Sequence, residues 1–432
     1  MATTLDLRAS RRSLWFILSM PVAMLGANFV WTSFNSILLL PLVQQVTSPG
    51  TAPATVGIIA FFSTLVGIVM NLVAGILSDR TTSAWGKRTP LLLTGSLLSL
   101  PFIALAAWFK LSLPIIIVSY LGMQVFTNIT NGAWWPLLVD VVPDQQRGLA
   151  SGIQGFYALL AGVAGFLVVT WLSEIGHADW ALLAMGATMA LTGIWNAWAI
   201  RGEDKPAPES PRLDFFQTFA AMFRVKTYVS VFFWMVGAAT LMWIGLLSMQ
   251  FYARDFMAVY LGAPNPDAAL RIFGMVNIIF TLISAVAAGV LSDKIGRRKL
   301  ILAGTFGAAF ATALMAFTRE GTLFMALAAF RSLATGPIIS VLPALAGDIA
   351  PLDEAGQYMG YNNISTSFSG AFAALLFGFL LNNSGISTLQ NYRIVFFAAA
   401  AFFIAGGILF QAKVTHEEIA KNLTSKATAN DR

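Results

Sequence analysis

The sequence contains no cysteine and very little charge. Without cysteine it has no disulfides and no thiol chemistry. Only 11% of its 432 residues are charged, whereas 57% are hydrophobic and the mean hydropathy is +0.74. A soluble protein of this length does not cover its surface with so few charges. The composition therefore indicates an integral membrane protein. Long apolar runs without short alternating segments favour spanning helices over a barrel.

Motifs for enzymatic chemistry are also missing. The sequence has no Gly-x4-Gly-Lys-Ser/Thr nucleotide loop, and its two histidines, His177 and His416, lie outside the apolar runs. We therefore expect no enzyme activity, no ATP motor, no cofactor and no metal. The net charge of +6 does not indicate a nucleic-acid partner, because Lys and Arg gather in the loops that inserted helices keep in the cytoplasm.

The apolar runs predict twelve membrane spans of about 20 residues each. The run that follows Arg11 and Arg12 is too long for a signal peptide, and no small-residue cleavage site follows it, so it is expected to be a retained first span. The predicted spans lie near residues 14–42, 54–77, 89–109, 114–139, 148–173, 179–200, 227–252, 271–291, 300–318, 322–346, 357–381 and 391–412.

The distribution of basic residues predicts the orientation. A Pro-containing, charged segment at 201–226 reads as a cytoplasmic linker between an N-terminal six-helix bundle (1–200) and a C-terminal six-helix bundle with a cytoplasmic tail (227–432). With both termini in the cytoplasm, all but six of the 26 Lys and Arg residues are cytoplasmic. The exceptions are Lys110, Arg254, Arg271, Arg319, Arg331 and Arg393. We expect a multi-pass protein of the cytoplasmic (inner) membrane that works as a monomer.

Two motifs recur and indicate an internal duplication. Residues 75–80 read Gly-Ile-Leu-Ser-Asp-Arg and are followed by Gly-Lys-Arg at 86–88; residues 289–298 read Gly-Val-Leu-Ser-Asp-Lys-Ile-Gly-Arg-Arg. Likewise, Asp140-x-x-Pro143 after span four matches Asp348-x-x-Pro351 after span ten. Two pseudo-symmetric six-helix bundles related as a parallel repeat explain both pairs.

These motifs resemble those of the major facilitator superfamily over nearly the whole chain. The Gly-x-x-x-Asp-Arg…Gly-Lys-Arg loop is similar to the superfamily signature between spans two and three, and its second copy is similar to the echo between spans eight and nine. The longer first loop and the run Leu138-Val-Asp140…Pro143…Gln146-Arg147-Gly148 are closer to the glycoside–pentoside–hexuronide and sucrose-type cation symporters. The resemblance implies twelve transmembrane helices in the major facilitator fold.

The charged loops predict a gating lock. We expect the glycines to allow close helix contact, the motif aspartates to accept hydrogen bonds from amides at a neighbouring helix N-terminus, and the basic residues to pair with carboxylates. The resemblance implies that this lock forms on the cytoplasmic side in one state and breaks in another. Alternatively, the basic residues only fix topology, and Asp140 and Asp348 cap helices or pair with loops rather than transfer protons. The gating set is Gly75, Asp79, Arg80, Lys87, Arg88, Asp140, Arg147, Gly289, Asp293, Arg297 and Asp348.

Polar and tryptophan side chains at helical spacing mark candidate substrate contacts. Amides bond hydroxyls and an indole packs on the apolar face of a sugar ring; the resemblance implies that spans one, four, seven and ten line a central cavity. The alternative is that amides join helices and tryptophans anchor at the interface, as expected for Trp15, Trp108, Trp171 and Trp180. The candidates are Asn28, Trp31, Asn35, Gln124, Asn128, Asn131, Trp135, Gln154, Tyr157, Trp243, Gln250, Asn277 and Arg331.

Intramembrane charge is nearly absent. Arg331 alone lies well inside a span and is expected either to contact substrate or to bind backbone carbonyls. No acidic residue lies in the middle of a predicted span. The resembled symporters usually carry such carboxylates, so sodium coupling is disfavoured and proton coupling has no obvious carrier.

Two functions follow. The first is a secondary transporter for a small polar solute, such as a sugar or glycoside, working by alternating access with an ion, for instance a proton, as the coupling partner. The second is an exporter of amphipathic drugs or metabolites by proton antiport, with the tryptophan-rich spans forming an adaptable apolar cavity. A membrane receptor or enzyme on the same scaffold is a remote third possibility.

Overall fold

The computed structural model describes residues 11–48, 50–109, 111–204, 224, 228–351, 354–383, 385, 387–415 and 417. Over these residues the chain contains helices, turns and loops but no strand, so the predicted all-α fold is confirmed. Most of the predicted linker, and the C-terminal tail beyond residue 417, lie outside the described residues.

The helices are numbered α1 to α12 in chain order. The N-terminal six are α1 (Leu14–Gln44), α2 (Ala52–Arg80), α3 (Thr89–Trp108), α4 (Leu113–Val141), α5 (Asp144–Ala164, continuing through Gly165–Val169 and Thr170–Glu174) and α6 (Ala178–Ala199). The others are α7 (Ser230–Leu247), α8 (Pro266–Ile295), α9 (Arg297–Met315), α10 (Gly321–Ile349), α11 (Ala355–Leu381) and α12 (Thr388–Lys413).

Eleven helices in the described part of the chain are long and apolar enough to cross a membrane. The exception among α1 to α12 is α6, which has 22 residues and is therefore of spanning length, although polar residues reduce its hydropathy. The predicted seventh span differs more, because α7 ends at Leu247 and the chain passes through turns before the short helical segments Ala253–Asp255 and Phe256–Tyr260.

Three helical segments adopt π geometry. They are Phe34–Leu38 in α1, Gly165–Val169 in α5 and Phe256–Tyr260 after α7. A π segment widens one turn of a helix, displaces the side chains beyond it from their expected face and is frequent at functional sites. The α1 segment contains Asn35 and so alters the single polar face that the sequence predicts for this helix.

The chain forms two compact units. One contains Met1–Thr47 and Ser63–Arg224, and the other contains Ser48–Phe62 and Val225–Arg432. Helix α2 therefore contributes its first turns to the second unit and the remainder to the first. Within the second unit, the Tyr252 hydroxyl shares its hydrogen between Ala374 O at 2.6 Å and Pro53 O at 3.2 Å, which fixes the start of α2 against α11.

Each unit packs its helices in the same pattern. In the first unit α3 packs on α4 and α6, and α1 packs on α5 and α6; in the second, α9 packs on α10 and α12, and α7 packs on α11 and α12. Small residues allow the close contacts: a Cβ atom at Gly95 of α3 would lie 2.5 Å from Thr130 Oγ1, and one at Gly304 of α9 would lie 2.4 Å from Ala334 O. The repeated pairs agree with the duplication seen in the sequence.

Candidate functional site

The most strongly charged part of the first unit lies where α2, α3 and α4 end. Helix α2 ends at Arg80, α3 begins at Thr89 with a proline in its first turn, and α4 carries Asp140 near its C-terminus. These helix ends bring together four side chains that we call the loop cluster: Asp79, Lys87, Arg88 and Asp140.

Arg88 is the centre of the loop cluster. Its guanidinium Nη2 lies 2.5 Å from Asp79 Oδ1 and 3.0 Å from Asp140 Oδ2, and its Nε donates to the same Asp140 oxygen at 3.1 Å. Lys87 Nζ lies 2.9 Å from Asp140 Oδ2. Only 2% of Arg88 is exposed, and a buried cation is stable only with such partners. The pairs therefore hold the ends of three helices together.

The second unit repeats this arrangement with different details. Arg297 pairs with Asp348, the counterpart of Asp140. Arg298 donates from Nε to Val414 O at 2.8 Å and from Nη2 to Gln411 O at 2.7 Å, which caps the C-terminal end of α12. The Arg297 and Asp348 side chains are 31% and 43% exposed, so this cation is much more solvated than Arg88, whose side chain is 3% exposed.

These contacts confirm the predicted pairing of loop cations with carboxylates, including loop pairing for Asp140 and Asp348. The expectation for Asp79 is wrong: its carboxylate pairs with the Arg88 side chain instead of helix amides. The Asp293 side chain lies outside the described residues. Arg147 donates to Val142 O at 3.3 Å, which stabilises the turn before α5, and Arg80 forms the half-buried last turn of α2.

The predicted close approach at the motif glycines is also corrected. A Cβ atom at Gly289 would meet nothing within 4 Å, and one at Gly75 would make only an ordinary contact with Gly132 O at 3.7 Å. The tight contact between α2 and α4 lies instead at Gly132, where a Cβ atom would be 2.2 Å from Asn71 O. Gly75 instead contributes its carbonyl oxygen, which accepts hydrogen bonds from Ser78 Oγ at 2.7 Å and from Arg88 Nη1 at 3.4 Å.

Sequence reasoning missed one residue next to the loop cluster. Asp204 follows α6 in the predicted linker, is 3% exposed, and accepts a hydrogen bond from the Arg88 amide through Oδ2 at 2.5 Å. Burial raises the pKa of this carboxyl, and the Arg88 amide and the charges of Arg88 and Lys87 offset part of that rise. No local motif marks Asp204, because its position depends on how the chain turns after α6.

A polar network joins α1, α2 and α4 inside the first unit. The Tyr120 hydroxyl donates to Asn35 Oδ1 at 2.6 Å, and Gln124 Nε2 donates to Thr64 Oγ1 at 3.2 Å and to the Tyr120 oxygen at 3.4 Å. Asn128 Nδ2 donates to the Gln124 carbonyl at 2.8 Å. Asn35 and Gln124 are each 2% exposed. Their geometry favours helix joining over substrate contact.

The other candidates on α1 and α4 include two exposed tryptophans. Trp31 and Trp135 are 41% and 44% exposed. Asn28 is half-buried and donates to Met24 O of its own helix, while Asn131 Oδ1 is buried without a hydrogen-bond partner among the described residues. On α5, Gln154 is half-buried. These side chains retain hydrogen-bonding or stacking capacity for a ligand, in contrast to Asn35 and Gln124.

Three further candidates have partners that reduce their freedom. Tyr157 on α5 donates to Leu18 O at 3.1 Å. Asn277 on α8 donates to Phe273 O at 2.8 Å and accepts from Ser332 Oγ at 2.8 Å. Trp243 on α7 packs against the buried core of the second unit. Gln250 differs, because its Oε1 is buried without a partner in the part of the chain that the structure describes.

Arg331 is the buried cation of the second unit. It is 7% exposed and donates from Nη2 to Leu246 O at 2.7 Å and Gly245 O at 3.3 Å, and from Nε to Thr312 Oγ1 at 3.2 Å. The two carbonyls belong to the last turn of α7, where helix carbonyls lack intrahelical partners and the dipole favours a cation. Of the two expectations for Arg331, this geometry favours contact with backbone carbonyls.

No group of three or more His, Cys, Asp or Glu residues suited to hold a metal ion occurs among the described residues. The described residues thus form helix-end ion pairs, a buried polar network, and two exposed indoles with an amide on the same helix face. They offer groups for binding a polar ligand and for reversible locking of helix ends.

Comparisons with known proteins agree with this arrangement. The family described as MFS/sugar transport protein matches residues 19–410. The chain is 26% identical over 178 residues to solute carrier family 45 member 4 of Homo sapiens, covering 38% of this chain and 22% of that protein. It is 26% identical over 172 residues to the general alpha-glucoside permease of Schizosaccharomyces pombe, covering 36% of this chain and 30% of the permease. These matches thus span less than a third of either relative's length.

Solved structures show the same fold at low sequence identity. A bacterial homolog of the human lysosomal transporter Spinster, inward-facing and occupied, aligns with a TM-score of 0.75 and 13% identity over 95% of this chain and 99% of that one. A D-xylose–proton symporter aligns with a TM-score of 0.66 and 18% identity over 90% and 97%. The family match extends over most of the sequence, and the resemblance drawn from the charged loops is confirmed. The chain belongs to the MFS/sugar transport protein family, within the major facilitator superfamily.

Proposed function

We propose that the chain carries a small polar solute of the sugar or glycoside class across the cytoplasmic membrane by alternating access. Membership of a family of sugar transport proteins supports transport of small solutes, and the match to an alpha-glucoside permease supports the solute class. The sequence contains no nucleotide-binding loop, which supports a secondary mechanism.

One observation carries the sugar assignment. Helices α1 and α4 each present an accessible indole close to an amide: Trp31 lies three residues after Asn28, and Trp135 lies four residues after Asn131. Residues at these spacings share a helix face. An indole covers the apolar face of a sugar ring while an amide bonds its hydroxyls, so each pair has the chemistry of a sugar contact.

Uptake into proteoliposomes tests this assignment. Wild-type protein is expected to take up radiolabelled methyl α-D-glucoside, and Trp135→Ala or Asn131→Ala is expected to raise KM by about fivefold or more, since each contact contributes about 1 kcal/mol. Trp108→Ala is the matched control, because Trp108 is 69% exposed at the end of α3, where an interface anchor is expected. If KM is unchanged in both Trp135→Ala and Asn131→Ala, these residues pack helices together and do not contact the sugar.

We also propose that a proton gradient drives the uptake. This follows the resemblance to cation symporters, and the D-xylose–proton symporter shares the fold. The acidic residues of the described spans lie at helix ends, and two of them, Asp140 and Asp348, are ion-paired there. An inwardly directed proton gradient is expected to accelerate uptake, and an ionophore that collapses it is expected to remove the acceleration. Extrusion of lipophilic cations from loaded vesicles, without sugar uptake, would favour the exporter function instead.

The loop cluster is the proposed cytoplasmic lock of the transport cycle. Its ion pairs join α2, α3 and α4 at the ends that the basic residues assign to the cytoplasm. Leaving a buried cation such as Arg88 without its carboxylate partners is costly, so forming and breaking these pairs is a means of separating two states. In the proposed transporter the two bundles are residues 1–200 and 227–432, and residues 201–226 link them. Both termini lie in the cytoplasm and the protein works as a monomer.

A further inference from the structure

The chain turns back on the first charged loop directly after α6. Residues 201–204, which we call the latch segment, lie against residues 85–88. Gly202 N donates to Trp85 O at 3.0 Å, Lys87 N donates to Asp204 O at 3.1 Å, and Arg88 N donates to Asp204 Oδ2 at 2.5 Å. Three hydrogen bonds thus connect two segments more than a hundred positions apart in the sequence.

The loop is shaped to receive the Asp204 carboxylate. Gly86 has a φ of +112°, and a Cβ atom at this position would lie 1.7 Å from Asp204 Oδ1, so both the backbone conformation and the space require glycine. Arg88 is the N-cap residue of α3 and makes no side-chain cap, so its amide depends on an acceptor from elsewhere. Asp204 supplies that acceptor at the positive end of the helix dipole.

Neighbouring contacts hold the latch segment on three sides. The Arg201 guanidinium lies over the Trp85 ring, 5.0 Å from its centroid. Glu203 Oε2 lies 2.7 Å from Arg12 Nη1, and Arg12 also donates to Val141 O at 3.0 Å at the end of α4. The latch segment is therefore connected to the start of α1, to the end of α4 and to the start of α3.

The second unit makes the same connection with other groups. There, Arg298 in the first turn of α9 donates to Val414 O and Gln411 O at the end of α12. In both units the loop before the third helix is thus bonded to the end of the sixth helix. The two units thus use different chemical groups to connect equivalent helix ends, which indicates that this connection has a role in both units.

We propose that Asp204 is a positioning residue of the cytoplasmic lock. By accepting the Arg88 amide it fixes the start of α3, and thereby holds the Arg88 guanidinium where it pairs with Asp79 and Asp140. The first residues of the segment that leads to the second unit then form part of the lock. This role rests on the proposed function for its place in transport, whereas the latch contact is independent of any substrate.

Cysteine labelling tests the latch without a substrate, because the chain has no cysteine of its own. Thr89→Cys places a thiol at the first residue of α3, where Thr89 is fully buried and its Oγ1 has no hydrogen-bond partner among the described residues. In the full chain in lipid nanodiscs, Asp204→Ala is expected to accelerate alkylation by N-ethylmaleimide by about two- to thirtyfold, the range that loss of a capping side chain produces.

Two matched variants make the result specific. Asp204→Asn keeps an oxygen acceptor of the same size and is expected to label within about twofold of the parent, since an asparagine caps about as well as an aspartate. Asp179→Ala removes an exposed carboxylate at the opposite end of α6, away from the latch segment, and is expected to label like the parent. Equal acceleration in Asp179→Ala, or none in Asp204→Ala, would overturn the proposal. If Asp204→Ala fails to insert, Asp204→Leu replaces it, because leucine keeps the branched shape of aspartate but has no acceptor.

Transport provides the second readout. With methyl α-D-glucoside, Asp204→Ala is expected to lower the maximal uptake rate per inserted protein severalfold while leaving KM unchanged, and Asp204→Asn is expected to restore it. A residue with a merely structural role would lower only the amount of folded protein. Absence of sugar uptake by the wild type would contradict the proposed function alone, whereas normal uptake by Asp204→Ala with unchanged labelling would overturn the latch.

Discussion

Replacing Arg331 tests how the second unit stabilises the broken end of α7. The Arg331 guanidinium donates to the Leu246 and Gly245 carbonyls at 2.7 and 3.3 Å, and those carbonyls belong to the last turn before the chain leaves helical geometry. In Arg331→Ala the Leu246 carbonyl loses this donor inside a packed bundle, whereas the Gly245 carbonyl keeps the Ser248 hydroxyl at 2.9 Å. A water molecule takes the place of the Arg331 guanidinium only by entering the protein interior.

The expected magnitude follows from these contacts. A hydrogen bond from a charged donor contributes about 1.5–3 kcal/mol, and a buried acceptor left unsatisfied costs about 1–3 kcal/mol. The desolvation cost of the buried cation offsets part of the loss when the residue is removed. We therefore expect Arg331→Ala to reduce the free energy of unfolding by about 3 kcal/mol. For a unit of this size that corresponds to a fall in melting temperature of about 6–12 °C.

Thermal unfolding in detergent, followed by the fluorescence of the 12 tryptophans, measures this change. Arg319→Ala is the matched control, because Arg319 is exposed in the turn before α10 and is expected to change the melting temperature by less than about 2 °C. Arg331→Lys keeps the charge but not the forked donor and is expected to fall between the two. A wild-type melting temperature in Arg331→Ala together with a raised KM for sugar would refute the capping role and favour the substrate role.

Three further predictions concern other contacts. Asp79→Asn is expected to leave membrane insertion normal but to slow uptake severalfold, because Arg88 loses a charged partner; normal uptake at normal expression would contradict this. Tyr120→Phe removes the hydrogen bond to Asn35 and is expected to destabilise the first unit by about 1 kcal/mol, measured by thermal unfolding; an unchanged melting temperature would show that the bond contributes nothing. Backbone amides in the first turn of α10 lower the pKa of the Glu320 carboxyl. The ionised carboxylate therefore stabilises the fold above the ordinary carboxyl pKa, and this stabilisation is lost as the pH falls through the lowered pKa. Glu320→Gln is expected to flatten the acid limb of a plot of melting temperature against pH.

The number of helices and the internal duplication can be predicted from the sequence, because membrane spans have a recognisable length and composition. Hydrocarbon requires long apolar helices, and the charged loops recur at nearly constant spacing, so the two units follow without any knowledge of contacts. The pairing of Lys87 and Arg297 with Asp140 and Asp348 was also predictable. Opposite charges at adjacent helix ends have few other partners near a membrane.

Side-chain environments are predicted less well. Periodicity groups Asn35 and Gln124 with other polar residues of their helices, but it does not say whether those residues meet a cavity or another helix. Both residues are buried in a hydrogen-bond network. The motif glycine Gly289 has open space beside it, because helix contact depends on the neighbour's path as well as on the glycine. Asp204 is missed for a similar reason. Its role arises from a turn in the chain that no spacing rule anticipates.

The amide–indole pairs on α1 and α4 are proposed to bind a sugar during transport. The most direct test of this proposal is the uptake of methyl α-D-glucoside into proteoliposomes by the wild type, Trp135→Ala and Trp108→Ala under an inward proton gradient. We predict concentrative uptake by the wild type, a KM raised by about fivefold or more in Trp135→Ala, and wild-type kinetics in Trp108→Ala. Absence of uptake across a panel of sugars and glycosides, with extrusion of lipophilic cations by the same vesicles, would contradict sugar transport and favour the exporter function.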